Sequence, residues 1–313
     1  MPENKSKEEI YNESGFPFQN LCLSILKDTK SYQGIPEFPF THPPSSGNQL
    51  GKSSSIDILA VKFPFEGSFK GSRMEASPSI FHGLTLFFIE CKRSDPKIKD
   101  WIFDKGSGEL RAPTFFTKIF KETGKDFYGL NNKISRNGSI GKIGGKIIQN
   151  SDSFFQGIEI KSNMTGVNRN EHETIYKSLL QANHAMNALF CKSKVYPLDI
   201  EGLHFPKDKF GKILFLPIVV TTANLHVAEY DPKNVDLDTG TIKKENISLS
   251  EPKPFIVFDF SLPDYLKHSG EEKLDLLDNK FVEKMLNVER STTVIVNSKH
   301  WKEFLDDFDI LSL

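Results

Sequence analysis

Asp57 lies inside the apolar run Ser55-Ile56-Asp57-Ile58-Leu59-Ala60-Val61, and Glu90-Cys91-Lys92 closes a second, Leu84-Thr85-Leu86-Phe87-Phe88-Ile89. Both runs read as buried strands, and a buried strand excludes ionisable groups unless they are paired or hold an ion. Side chains alternate along a strand, so Glu90 and Lys92 share a face and Cys91 points away; Ile56 and Ile58 both face away from Asp57. If the two strands are neighbours, Asp57 and Glu90 converge. Mg²⁺ keeps several waters and takes one or two carboxylates plus a phosphate oxygen, so this pair suits Mg²⁺, with Mn²⁺ as a substitute. The Cys91 carbonyl is a further candidate ligand. Lys92 can stabilise developing negative charge or act as the base toward an attacking water, and Arg93 can grip a phosphate. Such a set is equipped to hydrolyse a phosphodiester. The plainer reading, a partly buried salt bridge from Lys92 to Asp57 or Glu90, stays open.

These groups need elements to hold them. Residues 1–12 read as a solvated lead-in, after which Ser14 caps a helix with Pro17 in its first turn and Phe18, Leu21, Cys22, Ile25 and Leu26 as its core stripe. Residues 33–52, rich in Pro, Gly and Ser, read as an irregular connection with a short strand at 37–41. Strands at 55–62 and 84–92 follow, joined by a long hairpin loop that Gly67, Gly71, Ser72, Ser77 and Pro78 mark. Residues 104–170 are the least regular part, with a strand at 155–162. Within them 131–149 carries Lys133, Arg136, Lys142 and Lys146, several glycines and no acid. This is the composition of a flexible basic arm whose lysines, Lys142 and Lys146 among them, suit a nucleic-acid backbone; a plain loop is the alternative. The later elements are a helix at 173–191, a hairpin of 213–221 with 225–230, strands at 255–260 and 292–297, and helices at 271–286 and 299–308. Strands and helices mix throughout, which predicts a single α/β or α+β domain over 8–313 around one central sheet.

Bulk properties exclude several classes. The chain has 313 residues, a net charge of −1 and 38% hydrophobic content, so it is neither polybasic nor disordered in composition. With 27 phenylalanines against 7 tyrosines and 2 tryptophans, its aromatics belong to a core rather than a base-stacking surface. Cys22, Cys91 and Cys191 form no Cys-x-x-Cys pair, so neither a disulfide framework nor a zinc site is indicated. No apolar stretch reaches membrane-spanning length and the first residues are too polar for a signal peptide, which makes the cytoplasm the expected compartment. The run from Gly138 to Lys146 lacks the Walker spacing, and the histidines show no ligand spacing.

The segments Glu13-Ser14-Gly15-Phe16-Pro17-Phe18-Gln19, Ile56-Asp57-Ile58-Leu59-Ala60 and Phe88-Ile89-Glu90-Cys91-Lys92-Arg93-Ser94 resemble the PD-(D/E)XK nuclease superfamily. More narrowly they resemble restriction-endonuclease-like proteins of the Mrr type. Leu216-Pro217-Ile218-Val219-Val220-Thr221-Thr222-Ala223 and Thr293-Val294-Ile295-Val296-Asn297 are similar to later strands of such proteins. The resemblance implies a restriction-endonuclease-like mixed central β-sheet flanked by helices, with loop elaborations. It also implies Mg²⁺-dependent cleavage of DNA in restriction, defence or repair, as a homodimer or with a partner subunit. Asp57 and Glu90 would be the metal ligands and Lys92 the catalytic base. Gln19 stands where such proteins often place a metal-binding Glu and would be a weaker metal ligand, with Glu13 at the helix start as a substitute. Gln181 matches a helix residue near the scissile phosphate. The amide at Gln19 keeps a second reading open, a catalytically weakened nuclease-fold module that binds nucleic acid without cutting. RNA in place of DNA also stays open.

Overall fold

The computed structural model describes residues 5–29, 32–41, 53–62, 82–94, 98–104, 114–119, 128–133, 153–161, 173–192, 210–263 and 290–308. Its strands are β1 (Tyr32–Thr41), β2 (Ser53–Lys62), β3 (His82–Lys92), β4 (Ile98–Asp104), β5 (Thr114–Ile119), β6 (Tyr128–Lys133) and β7 (Ser153–Phe154). They continue with β8 (Gln156–Lys161), β9 (Phe210–Thr221), β10 (Asn224–Glu229), β11 (Ser248–Leu249), β12 (Phe255–Ser261) and β13 (Arg290–Asn297). The α-helices are α1 (Lys7–Glu13), α2 (Phe16–Asp28), α3 (Glu173–Lys192) and α4 (Trp301–Asp307). A nine-stranded mixed sheet follows the order β1-β2-β3-β9-β13-β12-β7, and off that path β5 pairs with both β9 and β6. β3, β9 and β13 run parallel, while β2 pairs antiparallel with β1 on one side and with β3 on the other.

Helices cover both faces of this sheet, which is why its central strands are continuous apolar runs rather than alternating ones. On one face α2 and α4 set Phe18, Cys22, Leu26, Trp301 and Phe304 against Ile58, Ala60, Phe87 and Ile89. Trp301 donates its Nε1–H to the Cys22 carbonyl at 3.1 Å and Tyr32 donates its hydroxyl to the Leu305 carbonyl at 2.8 Å, joining chain ends across that layer. On the other face α3 presents Ile175, Leu179, Ala182 and Met186 to Leu59, Val61, Leu86 and Phe88. Each fully buried Val, Leu, Ile, Phe or Met among them contributes about 1.5–3 kcal/mol. No helix among the described residues is long and apolar enough to cross a membrane.

Several expectations need correction. A second, four-stranded sheet, β11-β10-β4-β8, packs its Trp101, Phe103 and Leu225 into the α3 side, where one sheet was expected. β9 and β10 are therefore not a hairpin: the turn at Thr222-Ala223 sends the chain from one sheet to the other. Residues 32–41 form a full strand along β2 despite Gly34, Pro36 and Pro39, because β1 lies at the end of the described strand order and an edge tolerates residues that cannot donate. Residues 7–13 are helical, capped by Ser6 and Glu9 in a reciprocal box, although none of them is buried. The helix 271–286 and most of the basic arm lie outside the described residues; 131–133 belong to β6.

Ser14 ends α1 rather than opening α2. Gly15 opens α2 at φ 88, and its carbonyl accepts the first helical hydrogen bonds from Phe18 and Gln19, each at 3.1 Å. Nothing lies within 4 Å of a Cβ built there, so Gly15→Ala tests the backbone alone. Its cost is expected to be about 1–2 kcal/mol, read as a lower melting temperature.

Candidate active site

Strand alternation fails at one rung. Ile58 buries on the α2 side and Ile56, two residues away, on the α3 side, although a regular strand would put both on one face. β1 does the same beside it. Gly34 abuts Leu23 and Leu26 on the α2 side, while Phe38 and Phe40 pack on the α3 side. The pairing of β1 with β2 runs from Tyr32↔Lys62 to Thr41↔Ser53 but omits the rung of Glu37 and Asp57, and Glu37 has φ 49. A non-glycine residue in that region costs about 1–2 kcal/mol. Pairing of β2 with β3 also stops at Ile58↔Ile89, one residue short of Asp57 and Glu90. Asp57 Oδ2 instead accepts the Cys91 N–H at 2.7 Å, so a side chain takes over where the ladder parts.

A cleft of about 720 Å³ opens at this parting. Gly15, Phe16 and Gln19 line one side, Trp101, Glu159 and Thr174 another, and Glu37, Asp57, Cys91, Lys92 and Arg93 lie between. It sits beyond the carboxyl end of the parallel strand β3, a usual place for ligands in open α/β sheets. Thr222 holds that end, donating its N–H to the Lys92 carbonyl at 3.3 Å and accepting the Ser94 N–H on Oγ1 at 2.9 Å.

Glu90 and Lys92 share a face as expected, with Lys92 Nζ 2.7 Å from Glu90 Oε1. The other carboxylate oxygen, Glu90 Oε2, is buried and has no hydrogen-bond partner among the described residues. Burial, then repulsion from Asp57, pushes the Glu90 carboxyl up to about 7, against the opposing pull of Lys92. Burial also raises Asp57, partly offset by the Cys91 N–H and by Lys92. For Lys92, burial works to lower the pKa, but Glu90 and Asp57 together outweigh it and the ammonium is held more firmly than usual. The ammonium is the form in which Lys92 can stabilise developing negative charge. The Cys91 thiol is raised well above its ordinary value by its hydrogen bond with Cys22 and by burial. It packs toward α2, so only the Cys91 carbonyl can serve a cation.

The donor set fits a hard divalent cation on chemical grounds. It offers two carboxylates of raised proton affinity, one with an orphaned buried oxygen, in a site open to water. Among the described residues no three His, Cys, Asp or Glu side chains converge to hold an ion.

The remaining candidates separate. Gln19, buried on α2, donates Nε2 to Glu37 Oε1 at 2.7 Å and to the Asp57 carbonyl at 2.9 Å. Its amide nitrogen thus bridges two site strands, and the ligand role expected for Gln19 falls to its amide oxygen. Arg93 reaches the cleft but donates to the Asn12 carbonyl at 2.6 Å. Lys142 and Lys146 lie outside the described residues. Gln181 does not line the cleft: Nε2 donates to Ser54 Oγ at 2.9 Å and to the Ser55 carbonyl at 2.6 Å, tying α3 to β2 just before Asp57. Gln181→Ala is expected to cost about 1–2 kcal/mol of stability. Unchanged melting with lost cleavage would instead return Gln181 to a role at the phosphate.

Two cleft acids escaped the sequence reading. Glu37 sits between prolines in what looks like loop composition. Glu159, almost fully buried on β8, accepts the Ile175 N–H at 3.2 Å and so satisfies a donor in the first turn of α3. The only signal for Glu159 was a charge within Ile158-Glu159-Ile160. Comparison with protein-family models, with curated proteins and with solved structures found no match to this chain.

Proposed function

We propose that this protein is a nuclease of the PD-(D/E)XK type, with a restriction-endonuclease-like domain that hydrolyses DNA phosphodiester bonds with Mg²⁺. The observation that carries the reading is the orphaned, buried Glu90 Oε2 beside Asp57 and an ammonium group, at the point where β2 leaves β3. Asp57 and Glu90, with the Cys91 carbonyl, would hold the cation. When bound, such a cation polarises the phosphodiester and neutralises part of its charge. The chain's own groups do the rest. Asp57 is oriented through the Cys91 N–H and, on its main chain, through Gln19. Lys92 keeps its proton and places a positive charge where charge builds up on the phosphorane oxygens. The neutral Asn12 carbonyl is a weaker partner for Arg93 than a phosphate, so Arg93 can exchange one for the other.

The test is incubation of the full chain with supercoiled, linear duplex and single-stranded DNA, and with RNA, in Mg²⁺, Mn²⁺ or chelator. Cleavage of DNA that needs a cation supports the reading; no cleavage of any substrate with either cation overturns it. One observation favours the second reading, a module that holds nucleic acid without cutting. Gln19 is committed to bridging strands and contributes no carboxylate. DNA binding without cleavage, together with weak cation binding, would select it.

A further inference from the structure

Glu37 is held in place from two directions. Oε1 accepts from Gln19 at 2.7 Å and Oε2 accepts from Ser55 Oγ at 2.9 Å, while its backbone occupies the left-handed region at φ 49. Glycine or asparagine would fit that backbone with less strain. The carboxylate lines the cleft with Asp57, and it repels the carboxyls of both Asp57 and Glu90. Two of these acids, Asp57 and Glu90, act on the Lys92 ammonium, and among the described residues the buried Oε2 of Glu90 has no hydrogen-bond partner. Glu37 does not join the other two in a cluster tight enough to coordinate an ion directly. Mg²⁺ gives up its water reluctantly, so a carboxylate just beyond bonding distance meets the ion's hydration water instead.

We propose that Glu37 is a positioning residue of the cation site: an outer carboxylate that accepts hydrogen bonds from the waters of a Mg²⁺ ion held by Asp57 and Glu90. This rests on the reading of the site given above. Its contribution is charge, delivered through water, and the hydrogen bonds to Gln19 and Ser55 exist to aim it. Charge and hydrogen bonding can be separated. Glu37→Gln keeps the shape and an acceptor for Gln19 but loses the charge, whereas Glu37→Asp keeps the charge and shortens the reach.

The experiment is calorimetric titration of Mg²⁺ into the full chain and into E37Q, E37D and E90Q, with melting curves as a check on folding. E37Q is expected to bind Mg²⁺ roughly tenfold more weakly, as loss of one charge a few ångströms from a divalent ion implies. E37D is expected to stay within about threefold of the unsubstituted chain. The reverse order, with E37Q unaffected and E37D impaired, overturns the inference and makes Glu37 a structural acceptor. E37Q unchanged while E90Q loses binding overturns the Glu37 inference alone. An unsubstituted chain that binds no Mg²⁺ overturns the inference together with the reading beneath it.

Discussion

Asp57→Asn and Lys92→Met are each expected to lower Mg²⁺-dependent DNA cleavage by at least about a hundredfold while leaving the protein folded. Asparagine retains an oxygen for the Cys91 N–H, so the joint between β2 and β3 survives. It removes a charge that burial already disfavours, and melting should therefore hold or rise slightly. What it removes from function is half of the anionic donor set. Lys92→Met leaves an apolar stem of similar length in a partly buried position and deletes the only ammonium facing Glu90 among the described residues. Single-turnover cleavage rates and thermal melting measured on the same samples check both variants. Retained cleavage in either would remove that side chain from the chemistry, and joint loss of cleavage and folding would show a structural role instead.

The parts of the fold that were legible in the sequence are those whose burial is two-sided and continuous. Residues 55–62 and 84–92 announce β2 and β3 because helices cover both faces, and 173–191 announces α3 through its 3.6-residue stripe. Glu90 and Lys92 share a face because alternation is a local property of β3. Residues 33–36 concealed the first half of β1, since Gly34 and Pro36 are loop markers unless the strand lies at an edge, while the strand at 37–41 was legible. The second sheet was invisible because β4 finds its partners far along the chain, Trp101 beside Leu225 on one side and Glu159 on the other. The phase break at Glu37 and Asp57 was hidden for a related reason. It belongs to two strands at once, and β2 read alone predicts Ile56 and Ile58 on one face. Lys92 shows the same limit in electrostatics: Glu90 beside it is legible in the sequence, but Asp57, which also holds its proton, is brought near only by the fold.

Replacing Glu90 by glutamine should stabilise the cation-free protein at pH 8 by about 2–3 kcal/mol, an upper range because solvent and relaxation soften any buried charge. The sign follows from where the proton binds. Glu90 titrates near 4.5 when unfolded and at about 7 when folded, so between those values the folded protein holds more protons. Stability therefore falls as pH rises from about 4.5 to about 7 and stays low above it, because the buried carboxylate must then exist as an anion. Glutamine has no such transition, so its advantage should appear at pH 8 and vanish near pH 4. Mg²⁺ should invert the comparison by binding the folded anion, raising the melting temperature of the unsubstituted protein and leaving that of E90Q unmoved. Melting curves at pH 4, 6 and 8, with and without Mg²⁺, check this. The alternative that Glu90 and Lys92 are merely a structural salt bridge predicts the opposite at pH 8. Replacing one partner of a bridge that holds the sheet together lowers stability. A carboxylate that weakens the fold until a cation arrives is one retained for the cation, and the direction of this single shift separates the two cases.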